Sequence, residues 1–374
     1  MRTPPEVRAA RLASDGEHIT VDIYAVTDVG RTREHNEDAY VVSDLARGTP
    51  LDFDVVVQQQ RVGTRGVLFM VADGMGGAAA GELASATAVD VVLRYLREHW
   101  TSREDTGNAA DFVIALEDAT HTANGVIFRY ASEHTELRGM GTTSTIAGLL
   151  GDTLYIAQVG DSRAYLVRDG VSRQLTKDQS LIQKLVEAGE ITEEEAEVSD
   201  RRNIILQALG PEAQVKIDIT HQQIRRRDVL VLCSDGLSGL VKADEIAKAV
   251  RESPDLTAAC HSLVALANDQ GGPDNITVVA ARFDGAGLSA AAATDAVGHQ
   301  IYVSQDRLGK PTEPVDAYLR ERTEEMMRRT PMEPVQVTVS REQRARRARL
   351  INIALGVAAS VLAIVMVLRL LGKL

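Results

Sequence analysis

Apolar residues recur along this chain in two rhythms, and the changes between them outline its elements. From about Ile19 the repeat is short: "IYAVTDVG" and "DAYVVSD" read as strands, and the stretch after Leu51 has room for a further strand and a loop. "VLFMVADGMGG" (67–77) is a buried strand that stops abruptly in an aspartate and a cluster of glycines. The repeat then lengthens. Ala86, Val89, Val92, Leu93 and Leu96 form one stripe of a helix from about Gly81 to His99, and a second helix is expected from Ala110 to Ser132.

Hairpins follow. "TSTIAGLL-GD-TLYIAQVGD" and "SRAYLV-RDG-VSRQLT" place Gly151-Asp152 and Asp169-Gly170 between β-rich runs. "KDQSLIQKLVEAGE" has Leu181, Ile182, Leu185 and Val186 on one helical face and Gly189 as a stop. Thr192 and Glu195 match a capping box opening a short helix. "RRDVLVLCSDGL" is another buried strand ending in aspartate; "ADEIAKAVRES" and "DLTAACHSLVALANDQ" read as helices, and "NITVVAARF" as a closing strand. Strands paired as hairpins, with helices grouped between them, favour an α+β fold with antiparallel sheets over a doubly wound parallel sheet. The folded domain is expected over 19–284, after an N-terminal extension at 1–18.

After Gly285 periodic apolar residues thin out, and four of the ten prolines (Pro311, Pro314, Pro331, Pro334) lie in this stretch. Residues 285–340 are expected as a flexible tether with one helix around Val315–Arg329. "LINIALGVAASVLAIVMVL", Leu350–Leu368, then runs 19 residues without a charge, long enough for a transmembrane helix, expected over 350–371. A buried core helix is the competing reading of so apolar a window. Arg341, Arg344, Arg346, Arg347 and Arg349 precede the span, against only Arg369 and Lys373 after it. Tether and basic juxtamembrane segment together occupy 285–349. The positive-inside rule puts the domain in the cytoplasm, as a single-pass protein of the cell membrane. Only six residues follow Leu368, too few for a sensor beyond the membrane.

Composition narrows the function. A net charge of −12 argues against a nucleic-acid partner, because no excess of cations faces phosphate. Two cysteines, Cys233 and Cys260, make neither a disulfide framework nor a Cys-rich zinc site. The N-terminus lacks the apolar core of a secretory signal.

The chemistry sits at the strand ends. Asp73 closes "VLFMVAD", Asp161 closes "TLYIAQVGD", Asp235 follows "DVLVLCS" and Asp274 stands just before "NITVV". Asp28, Glu37 and Asp38 surround another strand junction. One such aspartate is a turn residue. Several at the ends of central apolar strands crowd like charges at the edge of a core, which costs several kcal/mol unless cations neutralise them. With His35 and Cys233 the only softer groups nearby, hard oxygen donors suit Mg²⁺ or Mn²⁺ rather than Zn²⁺. Two such ions with a bridging water make a site for hydrolysing phosphate esters.

The ordered set "DVGRTREHNED", "DGMGG", "GTTS", "GDSRAY", "LTKDQSL", "CSDGL" and "GGPDNITVV" resembles the metal-dependent Ser/Thr protein phosphatases of type 2C, over about residues 20–283. The resemblance implies two central antiparallel β-sheets packed as a sandwich and flanked by helices, a four-layer α/β/β/α arrangement. It implies two Mn²⁺ or Mg²⁺ ions and a third site. Asp73 would bridge the two metals and the Gly74 carbonyl bind the second; Asp235 and Asp274 would complete the first. Glu37 and Asp38 would hold metal-bound waters, and Asp161 with Asp235 would form the third site. Arg33, four residues before Glu37, matches the phosphate-binding arginine, for which a bidentate guanidinium is suited; Arg31 is its rival. Arg33, Asp38 and Asp73 are thus the expected catalytic residues, and Asn275 is expected to orient the neighbouring carboxylate.

Two departures stand out. Met75 occupies the position of a general-acid histidine in eukaryotic relatives, as it does in bacterial ones, and Gln179 replaces a histidine found in many relatives. Cys233 reads as a small buried strand residue. The segment from about Leu181 to Leu209 matches the family's flap. The implied activity is hydrolysis of phosphoserine or phosphothreonine in proteins by a metal-bridged hydroxide, without a phosphoenzyme, opposing a eukaryotic-like Ser/Thr kinase. The alternatives are a catalytically weak, membrane-tethered phosphoprotein-binding module and a dedicated partner switch.

Overall fold

A computed structural model describes residues 18–303, apart from 48, 51–56, 106, 198, 200 and 202. The N-terminal extension up to residue 17, the Val315–Arg329 helix, the tether beyond 303, the basic segment and the expected span at 350–371 lie outside the described residues. Among the described residues, no helix is long and apolar enough to cross a membrane.

Strands β1 (Thr20–Asp28), β2 (Asp38–Asp44), β3 (Thr49–Pro50), β4 (Val57–Arg61) and β5 (Val67–Met75) lead into helices α1 (Ala78–Leu96) and α2 (Ala109–Glu133). Then come β6 (Gly141–Thr142), β7 (Ser144–Leu150), β8 (Thr153–Val159), β9 (Arg163–Arg168) and β10 (Val171–Gln174). Short helices α3 (Leu181–Glu187) and α4 (Glu193–Glu197) precede β11 (Asp218–Gln223) and β12 (Val229–Cys233). Helices α5 (Asp235–Ser238), α6 (Ala243–Glu252) and α7 (Leu256–Asp269) come before β13 (Ile276–Asp284). One sheet runs β10-β9-β12-β13-β1-β4, the other β11-β8-β7-β5-β2-β3, with β6 paired to β5. Every pairing between these strands is antiparallel.

The strand run "VLFMVA" is continuously apolar because both its faces are covered. Val67, Phe69 and Val71 join Ile23, Leu232 and Phe283 in the core between the sheets. Leu68, Met70 and Ala72 turn the other way, to Ala84, Val92, Phe112 and Leu116 of α1 and α2. In β12, Leu230 and Leu232 face the sheet interface, while Val229, Val231 and Cys233 pack with Ile246, Val250 and Leu263 of α6 and α7. Alternate residues of a strand point to opposite faces, so three apolar layers need four layers of secondary structure. Phe69 and Phe283 meet edge-on across the sheets with centroids 6.3 Å apart.

The expected hairpins occur where their turn residues stand. Leu150 pairs with Thr153 across Gly151-Asp152, and Arg168 with Val171 across Asp169-Gly170. Asp169 and Gly170 both take positive φ, 51° and 78°, as a two-residue turn between twisted strands requires. The Thr192–Glu195 capping box also forms, with Thr192 N donating to Glu195 Oε2 at 2.9 Å.

Residues 285–303 correct the expectation of a tether beginning at 285. Leu288 is buried in the inter-sheet core. Further on, His221 N donates to Gln300 O and Tyr302 N to Ile219 O, both at 2.9 Å, so this segment lies along the edge strand β11. The Tyr302 ring stands edge-on to Tyr155 at 5.5 Å.

Candidate metal centre

Antiparallel registers bring the sequence-distant carboxylates to one end of the sandwich. In one sheet Asp38 is directly opposite Asp73, and Asp161 follows the end of β8. In the other, Asp235 lies just beyond the end of β12 and Asp274 just before β13, antiparallel neighbours. Asp38 ties the two sheets together. Its Oδ2 accepts from Ser234 Oγ at 2.7 Å and from Thr277 Oγ1 at 2.6 Å, both on the opposite sheet's side of the site.

Burial and mutual repulsion perturb the whole group. Burial pushes the Asp38 carboxyl up to about 7, against the pull of the Thr277 and Ser234 hydroxyls. Burial, then the charge of Asp235, pushes Asp161 up to about 8. Asp73 is raised well above the usual carboxylate range by burial and by Asp38, Asp235, Asp161 and Asp274 around it. Burial and Asp274 raise Asp235. Glu37 is raised by burial too, with Arg33 opposing.

The scaffold fixes the peptides that carry these groups. Asp73 N donates to Thr143 Oγ1 at 2.9 Å, and Asp73 O accepts from Thr143 N at 2.8 Å and Thr142 Oγ1 at 2.9 Å. The Glu37 carbonyl accepts from Gly74 N at 3.1 Å and Ser85 Oγ at 2.6 Å. This packing explains Gly74 and Gly81: a Cβ on Gly74 would stand 2.2 Å from Gly81 O, and one on Gly81 would stand 1.9 Å from Glu37 Oε2. Any side chain there would displace Glu37 from the site.

Arg33 reaches into the cluster, with Nη2 donating to Asp274 Oδ2 at 2.9 Å. Arg31 does something else: its backbone N donates to Gly272 O at 2.7 Å, and its side-chain stem lies against Gly272. Asn275 corrects one expectation. The bond to Asp274 Oδ1 comes from the Asn275 backbone N, at 2.9 Å. The Asn275 side chain instead grips the loop carrying Arg33 and Glu37, donating to Val29 O at 3.1 Å and His35 O at 2.9 Å and accepting from Glu37 N at 2.8 Å. Asp28 stays apart as a turn residue, its Oδ1 accepting from Gly30 N at 2.9 Å. His35 is exposed. Cys233 is buried, its thiol pushed up to about 12 by burial, as befits an inert core residue.

Sequence reasoning missed Ser234, Thr277, Thr143 and Gln158 as supports. The available signal was their adjacency to the aspartate motifs, as in "CSDGL" and "DNITVV".

The residues fit a hard divalent cation. Asp38 Oδ1 and Asp161 Oδ1 are buried without a hydrogen-bond partner, and such orphaned carboxylate oxygens are costly unless a ligand satisfies them. Among the described residues, no three carboxylates already close on one point at ligand distance. Arg33 engages Asp274 at the edge of the cluster.

Comparison with known proteins agrees with this geometry. Residues 43–277 match the family model described as protein phosphatase 2C. The chain is 37% identical over 253 residues to the serine/threonine phosphatase stp of Listeria innocua, covering 68% of this chain and 92% of that protein. Among solved structures, Staphylococcus aureus Stp1, a serine/threonine phosphatase, superposes with a TM-score of 0.60 at 31% identity, covering 74% of this chain and 98% of that one. The catalytic domain of the serine/threonine protein phosphatase PstP, in complex with two manganese ions, gives a TM-score of 0.55 at 33% identity, covering 71% and 99%. The chain belongs to the protein phosphatase 2C family.

Proposed function

We infer that this protein removes phosphate from phosphoserine and phosphothreonine side chains of other proteins, with Mn²⁺ or Mg²⁺ held by Asp73, Asp235 and Asp274, the Gly74 carbonyl, and Glu37 and Asp38 through water. The observation that carries the reading is the pair of orphaned carboxylate oxygens, on Asp38 and Asp161, within a ring of mutually repelling aspartates. When bound, the ions supply Lewis acidity and lower the pKa of coordinated water. The chain's own residues do the rest. Ser234 and Thr277 occupy one oxygen of Asp38 and leave Oδ1 for the site. Asn275 holds the 29–37 loop so that Arg33 stands beside the cluster, where its fork can take two phosphate oxygens in place of Asp274. Met75 offers no titratable proton, so leaving-group protonation falls to water.

We place the domain on the cytoplasmic face of a membrane. Nineteen uncharged residues at 1.5 Å rise give about 28 Å, near the thickness of a hydrocarbon core, and the arginines before them favour the inner side. Membrane-bound Ser/Thr kinases and their substrates are the partners such a tether would reach.

The test uses full-length protein with phosphothreonine, phosphoserine and phosphotyrosine peptides. The first two should release phosphate in Mn²⁺ and stop in chelator; undiminished release in chelator would sink the metal-dependent reading. In cell fractions the protein should resist carbonate and high-salt extraction. Release by salt alone would withdraw the membrane assignment.

A further inference from the structure

Two buried glutamines outside the carboxylate ring hold the turn that carries Asp161. Gly160 takes a φ of +100° and lies so close to Thr143 that a Cβ would stand 2.7 Å from Cγ2, so the turn tolerates no side chain there. Its N–H donates to Gln179 Oε1 at 2.9 Å, and its carbonyl accepts from Gln179 N at 2.9 Å, a reciprocal clasp. From the other side, Gln158 Nε2 donates to Gly160 O at 3.0 Å and to Ser162 O at 2.8 Å. The Gly160–Asp161 peptide and the Ser162 carbonyl beyond it are therefore pinned, while Asp161 Oδ1 is left without a partner.

The donor count explains why these positions are glutamines. Gln179 also donates through Nε2 to Lys216 O at 3.2 Å and to Asp218 Oδ2 at 3.0 Å. Gln158 Oε1 accepts from Thr145 Oγ1 at 2.7 Å. Each amide thus uses one acceptor and two donors, an inventory that Glu, Met and neutral His lack. Gln179 also stands where the 181–209 segment enters and leaves the domain. Its carbonyl accepts from Leu206 N at 2.7 Å, and Ser180 beside it bridges Ile205.

The geometry points to Gln179, backed by Gln158, as a positioning residue that holds Asp161 for an additional cation and couples that site to the base of the flap. This rests on the metal-dependent reading above. Outer groups that orient ligands typically set metal affinity by 10–100-fold.

Mn²⁺ alone is titrated into the full chain in detergent, for wild type, Gln179→Met and Gln179→His, with binding steps read by calorimetry and Mn²⁺ paramagnetic resonance. In Gln179→Met the weakest step should fall at least about tenfold while the tighter steps hold within about twofold. Gln179→His keeps an acceptor for the Gly160 N–H and should recover part of the loss. Asp218→Ala loosens the clasp from the outer side and should weaken the same step to a smaller extent, which keeps the test open if Gln179→Met fails to fold. Unchanged binding in a folded Gln179→Met, or equal weakening of every step, overturns the proposal. No Mn²⁺ binding by wild type overturns the metal-dependent reading itself, and this proposal with it.

Discussion

Removing one charge from the ring should stabilise the metal-free protein. Asp161 titrates near 8 in the fold because burial and Asp235 disfavour its ionised form, whereas an unfolded aspartate titrates near 3.9. Between those values the folded state holds a proton that the unfolded state has released, so stability falls as pH rises from about 4 to about 8. At pH 7 the loss approaches about 4 kcal/mol, from 1.36 kcal/mol per pH unit over roughly three units. Relaxation around the ring, equivalent to an effective dielectric well above that of a dry interior even at buried sites, brings the effective figure to about 2 kcal/mol. Asp161→Asn removes that penalty. In chelator its Tm at pH 7.5 should exceed wild type by about 4–8 °C, with the gap narrowing to about a third of that by pH 5. Saturating Mn²⁺ should shrink or reverse the difference, because wild type regains a ligand that the variant lacks. Differential scanning calorimetry from pH 5 to 8, with and without Mn²⁺, reads both effects. A metal-free wild type whose Tm climbs steadily over that range, or an Asp161→Asn protein no more stable at pH 7.5, would refute the argument.

Arg33→Ala should raise KM for a phosphopeptide about tenfold or more with little change in Mn²⁺ affinity, and Arg31→Ala should not; the reverse would place the phosphate contact on the wrong arginine. Arg168→Ala strands Asp228, which accepts Arg168 Nε at 2.9 Å and Nη2 at 2.6 Å in the buried interior, and should cost about 3–5 kcal/mol in urea unfolding. A loss under about 1 kcal/mol would contradict that pairing's role. Cys233 and Cys260, both pushed up to about 12 by burial, should resist iodoacetamide in the native protein at pH 8 without loss of activity. Fast labelling before unfolding would show that the core opens.

Most elements were legible because their periodicity reports burial directly. The run at β2 was bounded to the residue, and α2 and α7 to within about one, because apolar faces end where polar caps begin: Asn108 accepts from Asp111 N and Asp255 from Ala258 N. The strap at 285–303 was not legible. It docks through two backbone hydrogen bonds to β11, the Arg225–Asp295 ion pair and a few scattered apolar residues such as Leu288 and Tyr302, too irregularly spaced to make a period. The carboxylates announced themselves by position at strand ends. Their supports were harder to read: Asn275 and Gln179 bind main-chain groups 246 and 19 residues away, which only the folded registers bring within reach, and Gln158 grips the turn just beyond its own strand. Gln179 in particular read as an unexplained substitution until its clasp on Gly160 was visible.

The central claim is that the strand-end aspartates form one divalent-cation centre organised around Asp73. Equilibrium dialysis of Mn²⁺ against the full-length protein, run beside phosphate release from a phosphothreonine peptide, tests it most directly. Wild type should retain at least two ions per chain, and Asp73→Asn should lose at least one of them and nearly all activity while remaining folded. Equal Mn²⁺ occupancy and equal turnover in wild type and Asp73→Asn would contradict the account.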